Sequence, residues 1–328
     1  MKSIYMGDPH VKPSNIDESE DLLGFTVDKC IEYEVDRLHI SGDLFDTHDI
    51  VRLRVLSFWD KWFHKLSTQP FRTVILVGNH DLTGDYSNSY SALHPFLSLD
   101  DNDFKIVHEP YIDGIYGYLP YIHDNDKFVE EANKLAEQGA TVLISHPNFE
   151  GAVYDNGSPL SGGISDNSLD PRFLHLIGGH IHTERSYGRI WYTGNPRWIN
   201  KSCANKEKGI WLVEHDDTTG AILSKEFIST ESVCQRMVSL TWKEGEDKPE
   251  VPAGAKVDIE LVGRSDWVSK TKKDLIGTVS VSSKITDIQK SKERKSGKSL
   301  AEFLSKYYEI EPNKRKKLIE YMEKLKLV

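Results

Sequence analysis

A chain of 328 residues, 38% hydrophobic and 28% charged, has enough apolar side chains for packed cores, too many for general disorder, and more length than one usual domain. No apolar run approaches the ~18 residues of a membrane span, the N-terminal segment lacks a signal-peptide core, and three widely spaced cysteines (Cys30, Cys203, Cys234) make neither a disulfide framework nor a thiolate zinc site. Residues 281–328 carry 13 Lys and Arg against 7 Asp and Glu, whereas residues 1–280 carry 28 against 44. An acidic body disfavours a general polyanion-binding surface, since phosphate contacts come from Lys and Arg. It suits carboxylates gathered around cations, and the expectation is a soluble, cytoplasmic protein.

The first two-thirds alternates strand and helix. Apolar runs at 3–6, 37–40, 73–77, 141–144 and 174–177 read as buried strands, each ending in Gly, Ser or a polar residue. Between them, 19–34 and 51–65 repeat Leu, Ile, Phe and Trp at helical spacing. This is an α/β pattern in which polar residues enter loops beyond the strand ends, where sites form. After Pro196, segments 209–214 and 222–228 read as a hairpin that closes residues 1–230 as one domain. Residues 231–286 form a smaller α+β unit, with strands at 237–242, 256–262 and 278–282 around a polar segment at 265–274. Residues 287–298, rich in Lys, Ser and Gly, read as a flexible linker. Ser299 and Glu302 then open a helix-loop-helix, 299–328, with Leu300, Phe303, Leu304 and Tyr307 on one stripe and Leu318, Ile319, Met322 and Leu325 on the next.

Five short segments carry the chemistry. Asp8-Pro9-His10, Gly42-Asp43-Leu44-Phe45-Asp46, Gly78-Asn79-His80-Asp81, His146 and Gly179-His180-Ile181-His182 each follow an apolar strand. The donors are oxygen and nitrogen without thiolate, which suits hard or borderline divalent ions. They are too many for one ion, and two ions sharing a carboxylate are a standard device for phosphoester hydrolysis.

The ordered set D-x-H, G-D-x-x-D, G-N-H-D, H and G-H-x-H resembles the calcineurin-like metallophosphoesterases over about residues 3–215. Gly42-Asp43-Leu44-Phe45, then Tyr192-Thr193-Gly194-Asn195-Pro196 and Lys208-Gly209-Ile210-Trp211, the small unit and the terminal helix pair resemble the SbcD-type DNA repair nucleases, phage-encoded members included. The resemblance implies a four-layer αββα sandwich with 231–286 as a capping, DNA-binding domain. It implies one ion on Asp8, His10, Asp43 and His182, and a second on Asp43, Asn79, His146 and His180, manganese first and magnesium as the alternative. His80 would contact the scissile phosphate and protonate the leaving oxygen, Asp46 would position His80, and a metal-bound hydroxide would attack phosphorus. It further implies a 3′→5′ exonuclease and structure-dependent endonuclease in repair and recombination, a homodimer, and an SbcC-type SMC-like ATPase partner bound through 299–328. Val11-Lys12-Pro13 departs from the glycine that relatives carry two residues after the first His, which leaves the ligands intact and bears on that loop's shape and its DNA contact.

Other residues read as structure. His123 is a loop histidine, His39 and His175 belong to the core or a sheet edge, and His48, His64, His94 and His108 show no partner in the sequence. Cys30 is core. Phe58, Trp59, Trp62 and Phe63 suit packing against a sheet for at least two of the four, with a dimer surface or a base-stacking platform as alternatives. Two rival functions stay open: a stand-alone phosphodiesterase on nucleotides or small esters, and a non-catalytic scaffold of the same fold.

Overall fold

The computed structural model describes residues 1–83, 90–275 and 279–286. The linker expected at 287–298 and the helix-loop-helix expected at 299–328 lie outside the described residues. The chain divides into two compact units, Met1–Leu240 with Pro249–Asp258, and Thr241–Lys248 with Ile259–Val328. The first unit thus runs past the boundary expected at 230, because Cys234 is buried in a cluster with Leu22, Trp198 and Cys203.

In chain order the first unit holds β1 (Lys2–Met6), α1 (Ile16–Glu32), β2 (Arg37–Ile40), α2 (Leu53–Leu66), β3 (Arg72–Leu76) and β4 (Phe104–Val107). It continues with β5 (Tyr111–Asp113), β6 (Tyr116–Leu119), α3 (Asn125–Glu137), β7 (Val142–Ser145), β8 (His175–Gly178), β9 (Arg185–Tyr187), β10 (Ile190–Tyr192), β11 (Gly209–His215) and β12 (Ile222–Ser229). Two six-stranded sheets result, ordered β12-β11-β1-β2-β3-β4 and β5-β6-β7-β8-β10-β9. Strands β1 to β4 are parallel neighbours in the first sheet, and β6, β7, β8 and β10 in the second.

Side-chain alternation along each strand sorts residues between two faces. In the first sheet, Ile4, Met6, Leu38, Ile40 and Ile75 pack against Leu23, Val27 and Cys30 of α1 and Trp59, Trp62 and Phe63 of α2. The intervening Tyr5, Val74 and Leu76 face the second sheet, meeting Tyr116, Tyr118, Val142, Ile144 and Ile177. Outward from that sheet, Leu143 and Leu176 pack on Phe128, Ala132 and Leu135 of α3. The four layers expected from the sequence follow from these three cores. All four aromatics of α2 are buried, so packing accounts for each of them.

The second unit includes most of a three-stranded sheet, β13 (Met237–Lys243), β14 (Lys256–Gly263) and β15 (Ser280–Ile285), in that spatial order. Segment 265–274, polar in sequence, forms the helix α4 (Ser265–Leu275), which buries Val268, Thr271 and Leu275 on one side. Their spacing is helical, and Lys270, Lys272 and Lys273 dilute the signal. Within this unit Arg264 grips Glu244 at 2.6 and 2.9 Å, and Trp242 meets Trp267 edge to face. Among the described residues no helix is long and apolar enough to cross a membrane.

Candidate metal centre

All five motif loops leave the C-terminal ends of parallel strands. Asp8 and His10 follow β1, Asp43 follows β2, Asn79 and His80 follow β3, His146 follows β7, and His180 and His182 follow β8. Backbone links fix their register: His10 N–H donates to the Asp43 carbonyl at 3.0 Å and Val11 N–H to that of Leu44 at 2.9 Å. His80 N–H donates to Asp43 Oδ1 and His180 N–H to Asp8 Oδ2, both at 2.8 Å. His10, Asp43 and His180 hold left-handed backbone, at φ 43°, 51° and 74°, a costly conformation that surrounding contacts must enforce. Gly78 and Gly179 supply room: a Cβ on Gly179 would stand 2.6 Å from Asp8 Oδ1 and 2.7 Å from His146 Nδ1, and one on Gly78 would stand 2.2 Å from Asp43 N.

Two donor groups match the expected ions, Asp8 with His10 and His182, and Asp43 with His146 and His180, each within 4.8 Å, and His80 stands equally close to His10 and Asp43. In the first, His10 Nε2 lies 3.1 Å from His182 Nε2, and His182 Nε2 lies 3.8 Å from Asp8 Oδ2. In the second, Asn79 Oδ1 lies 2.8 Å from His180 Nδ1 and 3.0 Å from His146 Nε2. Asp43 belongs to both: its Oδ2 is 3.2 Å from His146 Nε2 and 3.6 Å from His10 Nε2. Ligand bonds of roughly 2.0–2.2 Å set at right angles put neighbouring donors about 3 Å apart, so these spacings fit a shared ion. Asp8 Oδ1 is buried with no hydrogen-bond partner, a cost that a cation removes.

Electrostatics say the same. Burial, with Asp43 beside it, pushes Asp8 up to about 7 against the pull of His146. Burial opposes the charge on Asp43 too, but His146 holds its carboxylate well below the usual range. The same pairing, against burial, lifts His146 to about 10. Burial and then His146 lower His180 to about 3. Buried carboxylates and imidazoles thus shift one another in opposite directions, and divalent cations held here would offset the carboxylate charge.

Every residue expected at the site comes to it. His80 joins Asp43, His180 and His182 around a cleft of about 520 Å³, bordered by Tyr154 and Lys201. Asp46 reaches His80 through its carbonyl, 3.0 Å from Nδ1, while its carboxylate lies 3.3 Å from Lys12 Nζ. Lys12 is the residue at the departure from the family loop. His48 has a partner after all, its ring stacked on that of His80 at 4.3 Å. Asp81 went unassigned: it is buried, accepts from Phe45 N–H at 3.0 Å and Gly78 N–H at 2.9 Å, and so ties the second and third loops together. Its motif position was visible and its role was not. Asp155, near His182, had no signal, since it lies in a polar turn outside any motif. His123 pairs with Tyr121 in a loop, and His39 is buried among tyrosines, as expected.

The sequence model of the family described as calcineurin-like phosphoesterase matches residues 1–184. The chain is 20% identical over 241 residues to the "DNA double-strand break repair protein Mre11" of Nanoarchaeum equitans (strain Kin4-M), an alignment covering 65% of each. It thus spans just under two thirds of that relative's length. It is 22% identical over 262 residues to "Exonuclease subunit 1" of Enterobacteria phage T4, covering 74% of this chain and 72% of the phage protein.

Proposed function

The chain belongs to the calcineurin-like phosphoesterase family, and from that premise we propose that it is a metal-dependent DNA nuclease hydrolysing phosphodiesters. The observation that carries the two-metal part is Asp43 Oδ2, placed between His146 Nε2 at 3.2 Å and His10 Nε2 at 3.6 Å. Asp8, His10, Asp43 and His182 would hold one divalent ion, and Asp43, Asn79, His146 and His180 the other. Manganese is the proposed ion and magnesium the alternative, since this donor set accepts both. When bound, the ions supply Lewis acidity and neutralise phosphate charge.

His80 is the proposed acid. Its Nδ1–H is committed to the Asp46 carbonyl, so as the acid it would act as the doubly protonated ring, giving its Nε2 proton to the leaving oxygen and staying neutral with Nδ1–H. His10 meets its ring at 4.8 Å edge-on and His48 at 4.3 Å face-on, so the imidazole is held in place before substrate arrives.

DNA as substrate is supported by the names of the archaeal and phage relatives. Action as a 3′→5′ exonuclease and structure-dependent endonuclease, a homodimer, a cytoplasmic place of work, and an SbcC-type ATPase partner docking on 299–328 are the finer parts of the proposal. They rest on the sequence resemblance. Given the net acidity of residues 1–280, binding of phosphate would draw on the two ions, on a basic strip of the smaller domain and terminal region, and on the partner.

The test is hydrolysis of linear duplex DNA and of a small phosphodiester with Mn²⁺, with EDTA, and in His80→Ala. Manganese-dependent shortening of DNA that the variant loses supports the nuclease; cleavage of the small ester alone supports a nucleotide phosphodiesterase instead. Truncation after Thr286 is expected to spare cleavage by the isolated subunit and abolish capture of the ATPase; undiminished capture refutes the docking segment.

A further inference from the structure

We propose that Asp155 is a positioning residue for the first metal group, holding His182 in the tautomer and orientation that aim Nε2 at Asp8 and His10. The inference rests on the two-metal reading above. The two nitrogens of His182 face different surroundings. Nε2 lies 3.1 Å from His10 Nε2 and 3.8 Å from Asp8 Oδ2, whereas Nδ1 lies 3.5 Å from Asp155 Oδ2. An imidazole that gives one lone pair to a cation carries its proton on the other nitrogen, and a carboxylate there fixes the tautomer and strengthens the ligand.

Asp155 is built for that task. Its side chain is only 9% exposed, so water competes weakly for it. Thr183 donates its hydroxyl to Oδ1. Lys206 Nζ reaches Oδ1 at 3.3 Å, the Asp155 carbonyl at 2.8 Å and Thr183 Oγ1 at 2.9 Å. These contacts occupy Oδ1, while Oδ2 accepts from Cys203 Sγ at 3.6 Å and faces His182 Nδ1. Asp155, His182 and Cys203 also lie close enough to hold an ion of their own. The Lys206 ammonium beside Asp155 argues against a cation there and for a carboxylate kept ionised to accept the Nδ1–H. In the second group the matching place is filled by a neutral acceptor: His146 Nδ1 lies 2.6 Å from the Ser41 carbonyl. The two ions would therefore sit in unequal sites, with Asp155 strengthening the first alone.

The experiment is Mn²⁺ titration of the full chain, read by calorimetry and electron paramagnetic resonance, for wild type, Asp155→Ala, Asp155→Asn and Lys206→Met. The metal-free proteins are also compared in ¹⁵N-histidine spectra, with His182 assigned through His182→Gln. Asp155→Ala is expected to weaken one of two ions by about 10–100-fold, leave the other unchanged, and move His182 off the Nδ1–H tautomer. Asp155→Asn, which keeps an acceptor, recovers part of both losses. Lys206→Met, which loosens the turn and leaves the carboxylate, keeps the tautomer and most of the affinity. Two ions bound with unchanged affinities in Asp155→Ala overturn the positioning role and leave the two-metal reading standing. Fewer than two ions in wild type overturn that reading, and this assignment with it. Equal losses in Asp155→Ala and Lys206→Met reduce Asp155 to a support of the turn.

Discussion

The imidazole of His48 lies stacked on that of His80, ring centres 4.3 Å apart and planes inclined by 25°. With the Asp46 carbonyl on Nδ1 and His10 against its edge, His80 is thus held from three sides by side chains or backbone of two other loops.

An aromatic pair contributes about 0.5–1.5 kcal/mol beyond buried area, which as misorientation in the transition state is up to roughly tenfold in rate. His48→Ala is expected to lower kcat for phosphodiester cleavage by that factor with little change in KM. His48→Phe, which keeps the stacked ring, restores most of it. A loss equal in both variants would show that His48 acts through its nitrogens rather than as a stacking surface.

Removing the acid and removing the shared ligand are expected to part company. His80→Ala leaves the two donor groups intact, so two manganese ions still bind while hydrolysis falls by about 10²–10⁴-fold, the usual contribution of general acid catalysis. Asp43→Ala takes a ligand from both groups and is expected to lose both ions at micromolar metal. Equal metal loss in the two variants refutes the division of roles.

How far the sequence carried this reading depends on what each residue touches. Asp8, His10, Asp43, Asn79, His146, His180 and His182 were legible because each follows a buried strand, and parallel strands deliver their C-terminal loops to one edge. The family resemblance placed Asp46 beside His80, but that its carbonyl rather than its carboxylate meets Nδ1 depends on the turn after β2. His48 was not legible, since stacking between residues 48 and 80 exists only once β2 and β3 are side by side. Asp155 was not legible either, because its partners Thr183, Lys206 and His182 come from distant segments. β5 and β6 went unread: β5 is short and only half-buried, and Tyr116-Gly117-Tyr118 carries a glycine that weakens the strand signal. That glycine packs under α3, where a Cβ would stand 3.2 Å from Leu135 Cβ.

Gly179 makes the close packing of the ligands testable without touching a ligand. A methyl group there would stand 2.5 Å from the Ser41 carbonyl oxygen, 2.6 Å from Asp8 Oδ1 and 2.7 Å from His146 Nδ1. Gly179→Ala is expected to displace Asp8 and His146, weaken manganese binding by at least tenfold, and cost roughly 1–3 kcal/mol of stability as an overpacked site. Metal titration beside urea unfolding checks both, and unchanged manganese affinity would mean that the donors have more room than the geometry gives them.

Stability is expected to fall on mild acidification through a histidine far from the metals. His215 is fully buried between sheets, with Nδ1 3.0 Å from the Gly220 carbonyl and Nε2 3.0 Å from Tyr5 Oη. Nδ1–H donates to the carbonyl and Nε2 accepts from the phenol, so the neutral ring is fully used. Burial lowers its pKa to about 4, against the helping pull of that carbonyl. The unfolded chain takes up the proton near 6.5, so above that pH the group leaves stability at its full value. As pH falls from about 6.5 towards 4 the unfolded state binds a proton that the folded state refuses, and stability drops by about 1.4 kcal/mol per pH unit, roughly 3 kcal/mol in all. Below 4 this contribution levels off. Urea unfolding of metal-free wild type and His215→Gln at pH 7.5, 6, 5 and 4 isolates the term, because the other buried histidines are common to both. The variant is expected to be less stable at pH 7.5 and to close the gap as pH falls; parallel curves would show that His215 is protonated in the fold without penalty.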